Sequence, residues 1–508
     1  VPVQELARPK RVYRLMDIGG PMHYTVHNPN LCNASTGVIE RVILSNGEPP
    51  LVVNEQTFNR RMDGVYKAME PYIRQAQPLE PSEFHLQYED SRRRKSYKRA
   101  CDSLVERPLE YKDSFLQAFV KVEKVCEEKL GVSEELLAYT SDKKQKVCIP
   151  RIISPRTPRY LLSSGIYIKP IEKSIYRMVN GAFKERTIAK GLNALDRGIL
   201  LREKWCSYDN PVAIGLDASR FDAHVNRVCL KWEHRNYRRL YRNCTVQQKQ
   251  ELSKILQWQL SQRGFVNTKD GRIKWSRDGG RCSGDMNTAL GNCMVMSCMV
   301  WSWLDSIDML WKCKFINDGD DGVIICDERD VGKLHGCAEW FRDMGFKMKI
   351  SDPVYVFERI EFCRCRPVWT PHGYKMVRNV REVLSKEHIT WKPITSEKYW
   401  NKYRNSLSLG GLALAGDMPI LRSYYRTLGR GAKGTTQLPH SSLQHLTVGM
   451  YQSEEIVTRT RVSFMMAFGY TPGEQKTIER LLDSKTPVFK LVGSPVDKYN
   501  RERIHIHE

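Results

Sequence analysis

The sequence predicts a mixed helix-and-strand fold of roughly two to four packed subdomains, and three observations carry that prediction. The chain has 508 residues, more than one ordinary core accommodates. Residues 283–304 form the strongest buried-helix candidate, with the chain's longest apolar stretch over 293–304. Short apolar runs at 212–216, 314–316 and 323–325 suit buried strands. The last two flank Asn-Asp-Gly-Asp-Asp-Gly and so read as a β-hairpin.

Composition narrows the class. The hydrophobic fraction, 41%, is ordinary for a globular chain and excludes global disorder. Lys plus Arg number 81 against 58 Asp plus Glu, a net charge of +23. Such an excess repels itself unless it meets a polyanion. Nucleic acid is the first expectation and an anionic membrane surface the second. Fifteen cysteines form an odd, irregularly spaced set without a Cys-x-x-Cys pair. Cys363 and Cys365 lack a second His or Cys pair to complete a tetrahedral metal site, so the thiols read as reduced, in a cytosolic protein. The apolar stretch 293–304 is too short to span a bilayer, and no signal peptide leads the chain. The first residue is Val, not Met, and the expectation is one part of a longer product, with any membrane anchor in the remainder.

Along the chain, residues 1–80 carry Gly, Pro and Asn clusters and predict irregular structure with short strands. A basic run follows at Arg92, Arg93, Arg94, Lys95, Lys98 and Arg99, then a strand-like segment at 119–124. Residues 143–159 are dense in positive charge, contain three prolines and read as an extended basic loop or ribbon. The strand at 212–216 runs into a polar turn and a basic helical stretch to about Tyr241. Beyond about residue 380, helical stretches alternate with Gly-rich breaks. The break at 429–434 lacks the Gly-x-x-x-x-Gly-Lys-Ser/Thr pattern and reads as a mobile basic loop.

The chemistry centres on acids. Asp320 and Asp321 repel each other at a tight turn unless a cation neutralises them, and Mg²⁺ takes such carboxylates together with phosphate oxygens and water. By itself Gly-Asp-Asp arises by chance in roughly one chain of this size in ten, and Asn, Asp and Gly favour ordinary turns. Its weight therefore depends on its company. Asp217 leaves a buried strand into a polar turn, and Asp222 follows. Asp217 and Asp320 on neighbouring strands would bracket two metal ions, one activating a 3′-hydroxyl and one neutralising leaving pyrophosphate. Between the acids lie Ser283, Gly284, Thr288 and Asn292. Gly284 permits a tight loop, and Thr288 and Asn292 share one helix face. Asn292 both donates and accepts, and with Asp222 it suits a reader of the ribose 2′-hydroxyl. A helix N-terminus rich in small polar residues is the alternative for that segment. Lys143, Lys144, Lys146, Arg151, Arg156 and Arg159 face almost no local acid and suit a triphosphate clamp, with a solvated charge run as the alternative.

Taken in order, these elements resemble the viral RNA-dependent RNA polymerases of the tombusvirus type, including carmovirus- and luteovirus-like replicases. Residues 146–156 resemble the family's motif F, 217–225 motif A, 283–292 motif B and 319–321 motif C. Residues 345–349 resemble motif D and 361–363 motif E, so the resemblance covers about 90–370. It implies an α+β right-hand fold. Residues 1–90 would be an N-terminal, fingers-associated region and 91–205 fingers; 206–240 would be palm, 241–275 a fingers insertion, 276–378 palm again and 379–508 thumb. It implies Asp217, Asp320 and Asp321 as ligands of Mg²⁺ or Mn²⁺, with Asp321 the supporting one. Asp222, Thr288 and Asn292 would select ribose, Ser283 and Gly284 would position template and nucleotide, and Lys146, Arg151 and Arg156 would contact triphosphate. Lys349 aligns best as the general acid for pyrophosphate, with Lys347 on the same short segment. Cys363 and Cys365 would pack a strand gripping the product end. The implied partners are viral RNA template and product, NTPs and other replicase proteins, with the host membrane engaged only indirectly, in membrane-associated replication complexes of the host cytoplasm. Asp222 and Asn292 argue against a reverse transcriptase, which favours a bulky side chain at the first position. A non-catalytic RNA-binding or nucleocapsid protein accounts for the charge but not for the acids around the Ser-Gly…Asn segment.

Overall fold

A computed structural model describes residues 12–18, 24–45, 48–126, 148–436 and 455–487. Its longer elements, in chain order, begin with helices α1 (Leu31–Val38), α2 (Glu55–Ala68) and α3 (Ser91–Glu106), strands β1 (Leu116–Val120) and β2 (Ile152–Ile153), and helices α4 (Pro158–Ala182) and α5 (Ala194–Trp205). Next come β3 (Pro211–Ala218), α6 (Arg227–Arg239), α7 (Val246–Gln257), β4 (Ser261–Asn267), β5 (Arg272–Asp278) and α8 (Thr288–Ser306). Strands β6 (Cys313–Asp318), β7 (Asp321–Asp327), β8 (Met348–Ile350), β9 (Cys365–Thr370) and β10 (Gly373–Arg378) follow. Helices α9 (Glu397–Ala415), α10 (Leu421–Gly429), α11 (Thr458–Phe468) and α12 (Pro472–Asp483) end the described chain. The fold is α+β. Among the described residues, no helix is long and apolar enough to cross a membrane.

The N-terminal region corrects the expectation of irregular structure. Asn54 caps α2 by accepting from Thr57 N at 2.9 Å, and Phe58, Met62 and Val65 make a buried stripe at helical spacing. The basic run lies on α3, whose Asp90 cap accepts from Arg92 N and Arg93 N while Tyr97 and Ala100 turn inward. The ribbon expected over 143–159 is also revised. Among the described residues there, β2 is the one strand, and Thr157, itself extended, caps α4 with Pro158 in its first turn, so Arg159 is helical. Lys143, Lys144 and Lys146 lie outside the described residues.

A four-stranded antiparallel sheet in the order β8-β3-β7-β6 positions the site. Strand alternation sends its two faces to different cores. Ile214, Leu216, Phe315 and Ile324 join the large cluster built around α8 and α4, whereas Ala213, Ile316, Val323 and Ile325 pack with Leu201 and Trp205 of α5. Helix α8 carries no polar stripe because residues 290–304 are buried on every side, as expected of a central pillar. A second sheet, β2-β1-β4-β5, brings the segment before Arg156 beside the β4–β5 hairpin, with β1 and β4 parallel.

Helix α5 approaches β10 closely because Gly198 has no side chain. A Cβ there would lie 2.1 Å from Tyr374 O, a backbone atom that cannot swing away. Gly198→Ala should therefore destabilise the fold by about 1–3 kcal/mol. Gly332→Ala, where an added methyl meets nothing within 4 Å, should leave the melting temperature almost unchanged. Equal melting temperatures for the two variants in thermal denaturation would contradict this packing.

Candidate active site

The β6–β7 hairpin turns on Gly319 and Asp320, and Gly319 takes φ +78° in open space. A two-residue loop of this kind needs glycine's freedom. Two contacts pin it. Asn317 Nδ2 donates to Gly319 O at 3.0 Å and to Asp321 O at 2.9 Å, and Gly319 N lies 3.1 Å from Cys293 Sγ on α8. The register then decides the rest. Asp321 stands directly opposite Asp217 on β3 and opposite Asp318 on β6, and Lys349 of β8 stands opposite Asp217 on its other side. Directly opposed residues share a face of the sheet. One row across the sheet end therefore holds Asp318, Asp321, Asp217 and Lys349, with Asp320 in the adjoining turn.

These acids are not equivalent. Burial pushes Asp318 up, but Lys190 and Arg197 outweigh it, at 3.1 and 2.5 Å, and hold its carboxyl below the ordinary range. Asp320 is raised by burial, with Asp222 and Asp217 adding to the rise. Asp321 is pushed up to about 6 by burial and then by Asp320, Asp217 and Asp318, against the pull of Arg364. Oxygen donors carrying mutually repelling charge are what a hard divalent cation takes. Among the described residues, no three such side chains are gathered into a ligand cluster. The protein thus offers part of a ligand set, which suits an ion that also binds phosphate and water.

Beside the acids, Asp222 and Asn292 meet as their expected partnership requires. Asn292 Nδ2 donates to Asp222 Oδ1 at 2.8 Å. Thr288 does not join them. Its hydroxyl lies 2.7 Å from Cys282 O and 3.0 Å from Asp285 O, so it braces the loop before α8. That loop rests on the basic segment residue by residue. Ser283 Oγ accepts from Ser154 N at 3.2 Å, a Cβ on Gly284 would come within 2.5 Å of Pro155, and Asp285 pairs with Arg156 at 2.7 Å.

The clamp expectation is corrected accordingly. Arg156 is 3% exposed and committed to Asp285 and Ser114 O, so it ties two segments together and has no free face for a triphosphate. Arg159 is likewise bound to Asp113, at 3.2 Å. The residues only looked short of acid because their partners lie far away in sequence. Arg151 stays half-exposed beside Glu123, and its charge reaches Asp222 and Asp320. Lys146 lies outside the described residues. Of the motif D lysines, Lys347 pairs with Glu48, while Lys349 is exposed and opposite Asp217.

Sequence reasoning passed over Asn317, Asp318, Lys190, Arg197, Arg281 and Glu233. Asn317 and Asp318 lay inside the quoted hairpin motif and were read only as turn residues. Glu233 had a signal, as the single acid in the basic helix α6.

A family model described as viral RNA dependent RNA polymerase matches residues 1–489. The chain is 34% identical to the RNA-directed RNA polymerase of Pothos latent virus (isolate Pigeonpea/India) over 482 residues, 94% of this chain and 62% of that protein. It is 32% identical to those of Tobacco necrosis virus (strain A) and Turnip crinkle virus, across 100% and 95% of this chain and 68% and 61% of theirs. The chain thus spans about three fifths to two thirds of these relatives' lengths.

The raised carboxyl of Asp321 sets a pH dependence. A carboxylate that holds its proton more tightly when folded favours folding below its unfolded pKa and loses that contribution as pH rises through its folded one. In divalent-free buffer, the Asp321 contribution should therefore decline from about pH 4 to about 6, and Asp321→Asn should flatten that decline in thermal denaturation. Adding Mg²⁺ should raise the melting temperature more at pH 7.5 than at pH 5, where protons compete for the site. An equal rise in an Asp320→Asn/Asp321→Asn double variant would contradict binding at these acids.

Proposed function

Because this chain belongs to the viral RNA-dependent RNA polymerase family, we propose that it copies the genome of a positive-strand RNA virus by template-directed nucleotidyl transfer from NTPs. The single observation that carries the reading is the register placing Asp217 against Asp321, with the Asp222–Asn292 pair beside them. Polymerisation needs acids for the reacting phosphates and a reader for the sugar, and here the two adjoin.

Asp217 and Asp320, supported by Asp321, would hold Mg²⁺ or Mn²⁺. When bound, such ions supply activation of the primer 3′-hydroxyl and charge neutralisation of the leaving pyrophosphate. Asp222 and Asn292 offer a carboxylate oxygen and an amide N–H to a ribose 2′-hydroxyl, which both donates and accepts. A deoxyribose leaves them unpaired, and so it is disfavoured. Arg151, half-exposed with its charge reaching Asp222 and Asp320, would meet the triphosphate. Lys349, opposite Asp217, donates a proton to pyrophosphate, a role for which Lys347 is less free because of Glu48. Ser283 and Gly284, propped on Ser154 and Pro155, shape the loop against which template and nucleotide rest.

The same reading assigns a right-hand layout. The palm is the β8-β3-β7-β6 sheet with its helices, and the fingers take in the β2-β1-β4-β5 sheet. The β4–β5 hairpin falls between the two palm segments in sequence and joins β1 in space, as a fingers insertion would. Helices α9 to α12, with their own core around Trp400, Tyr424 and Phe464, form the thumb.

Purified protein given Mg²⁺, template RNA and NTPs, with and without primer, should make templated RNA, and failure in both reactions would overturn the proposal. Asp320→Asn should lower synthesis on the order of a hundredfold or more while RNA binding, read by filter retention, is largely kept. Asp222→Ala should reduce the preference for NTP over dNTP about tenfold, the loss expected for one buried hydrogen-bonding group. An unchanged preference would remove Asp222 from sugar recognition.

A further inference from the structure

Behind the Asp222–Asn292 pair lies a buried ion pair, Arg281 with Glu233. Glu233 of α6 is wholly buried and Arg281 is 7% exposed. Arg281 Nη1 donates to Glu233 Oε1 at 2.9 Å, and its Nη2 pairs with Glu233 Oε2. The third arm of the guanidinium points elsewhere: Nε donates to Asn292 Oδ1 at 3.0 Å. Arg281 N also donates to the backbone carbonyl of Asp222 at 2.9 Å. One residue thus holds both members of the sugar-reading pair.

Glu233 is itself held. Its Oε1 accepts from Tyr237 Oη at 2.7 Å and Asn287 Nδ2 at 2.8 Å, and Asn287 exchanges hydrogen bonds with Gln259. The helix makes room for the pair as well. A Cβ on Gly291 would lie 2.3 Å from Arg281 Nη2 and 2.6 Å from Glu233 Oε1, so the residue just before Asn292 has to be glycine. Apolar residues of similar volume would often serve stability as well as a buried ion pair does, so its presence here calls for a role beyond stability.

The role follows from donor and acceptor inventory. An amide side chain can sit in two orientations, oxygen and nitrogen exchanged. Arginine offers only donors and an ionised carboxylate only acceptors. With Arg281 on one side and Asp222 on the other, one orientation makes two hydrogen bonds and the other makes two repulsions. We propose that Arg281, anchored by Glu233, is a positioning residue that fixes the Asn292 amide with its N–H groups toward Asp222, and thereby sets the discrimination between ribose and deoxyribose. The proposal rests on the sugar-reading role assigned above to Asp222 and Asn292. Lysine cannot replace Arg281, because a single ammonium cannot engage both Glu233 oxygens and Asn292 in one rigid plane.

The test is the ratio of kcat/KM for an NTP to that for the matching dNTP, measured by single-nucleotide incorporation on a primed RNA template. General structural damage lowers both values and leaves the ratio in place. Asn292→Ala and Arg281→Lys should each lower the ratio about tenfold, and the double variant should fall no further than Asn292→Ala alone, because both act through one amide. If Asn292→Ala lowers the ratio and Arg281→Lys does not, the positioning role is overturned and the sugar-reading role stands. If Asn292→Ala leaves the ratio unchanged, the sugar-reading role itself fails. Should Arg281→Lys give no cooperative melting transition, Glu233→Gln takes its place. This shape-preserving change weakens the anchor and should lower the ratio roughly threefold, and an unchanged ratio overturns the proposal.

Discussion

Much of this molecule is organised around carboxylates that are placed where they repel one another. The antiparallel register of β3 and β7 sets Asp217 against Asp321, and the tight turn adds Asp320 beside them. Directly opposed like charges weaken a sheet, and burial makes the conflict worse, as the raised carboxyl of Asp321 records. The surrounding structure must therefore hold the strand ends together against that repulsion. It does so with two apolar cores, one on each face of the sheet, and with ion pairs from Lys190 and Arg197 that satisfy Asp318.

Helix α8 is the part through which the site's functions are coupled. Cys293 meets the hairpin turn at Gly319, and the preceding residue, Asn292, meets Asp222. One residue earlier, Gly291 admits the Arg281–Glu233 pair. Three consecutive positions of a buried helix thus touch the hairpin turn, Asp222 and the Arg281–Glu233 pair. Such a helix cannot shift to suit one contact without disturbing the others, because a close-packed interior transmits displacement. The loop leading into it is fixed with equal economy of sequence, since residues 283, 284 and 285 rest on 154, 155 and 156 in turn.

That second contact changes the meaning of the basic segment. A run of positive charge suggests a polyanion, yet two of its arginines, Arg156 and Arg159, answer Asp285 and Asp113. Burying such a pair adds little net stability, but removing one partner costs about 3–5 kcal/mol, so each enforces the assembly it belongs to. Part of the chain's positive charge is therefore architectural, and the share left for RNA and nucleotides is smaller than the composition suggests.

The legible part of this protein was whatever depends on neighbours along the chain. Hairpin, buried helix and the strand before Asp217 were readable, because turn chemistry and apolar runs are local properties. Helix α2 was missed because Asn54, in a stretch rich in turn residues, is a cap whose worth depends on the stripe of Phe58, Met62 and Val65 finding a core. The commitment of Arg156 escaped the sequence for a related reason: its partner, Asp285, is set by packing. By itself, then, the sequence determined where the acids, the Ser-Gly…Asn segment and the hairpin turn lie along the chain. Only the tertiary structure decided which of them face each other. Strand register, the burial of Glu233 and Arg281 and the choice of partner for each arginine arise from contacts between segments tens to more than a hundred residues apart, and such contacts leave no pattern in the order of residues.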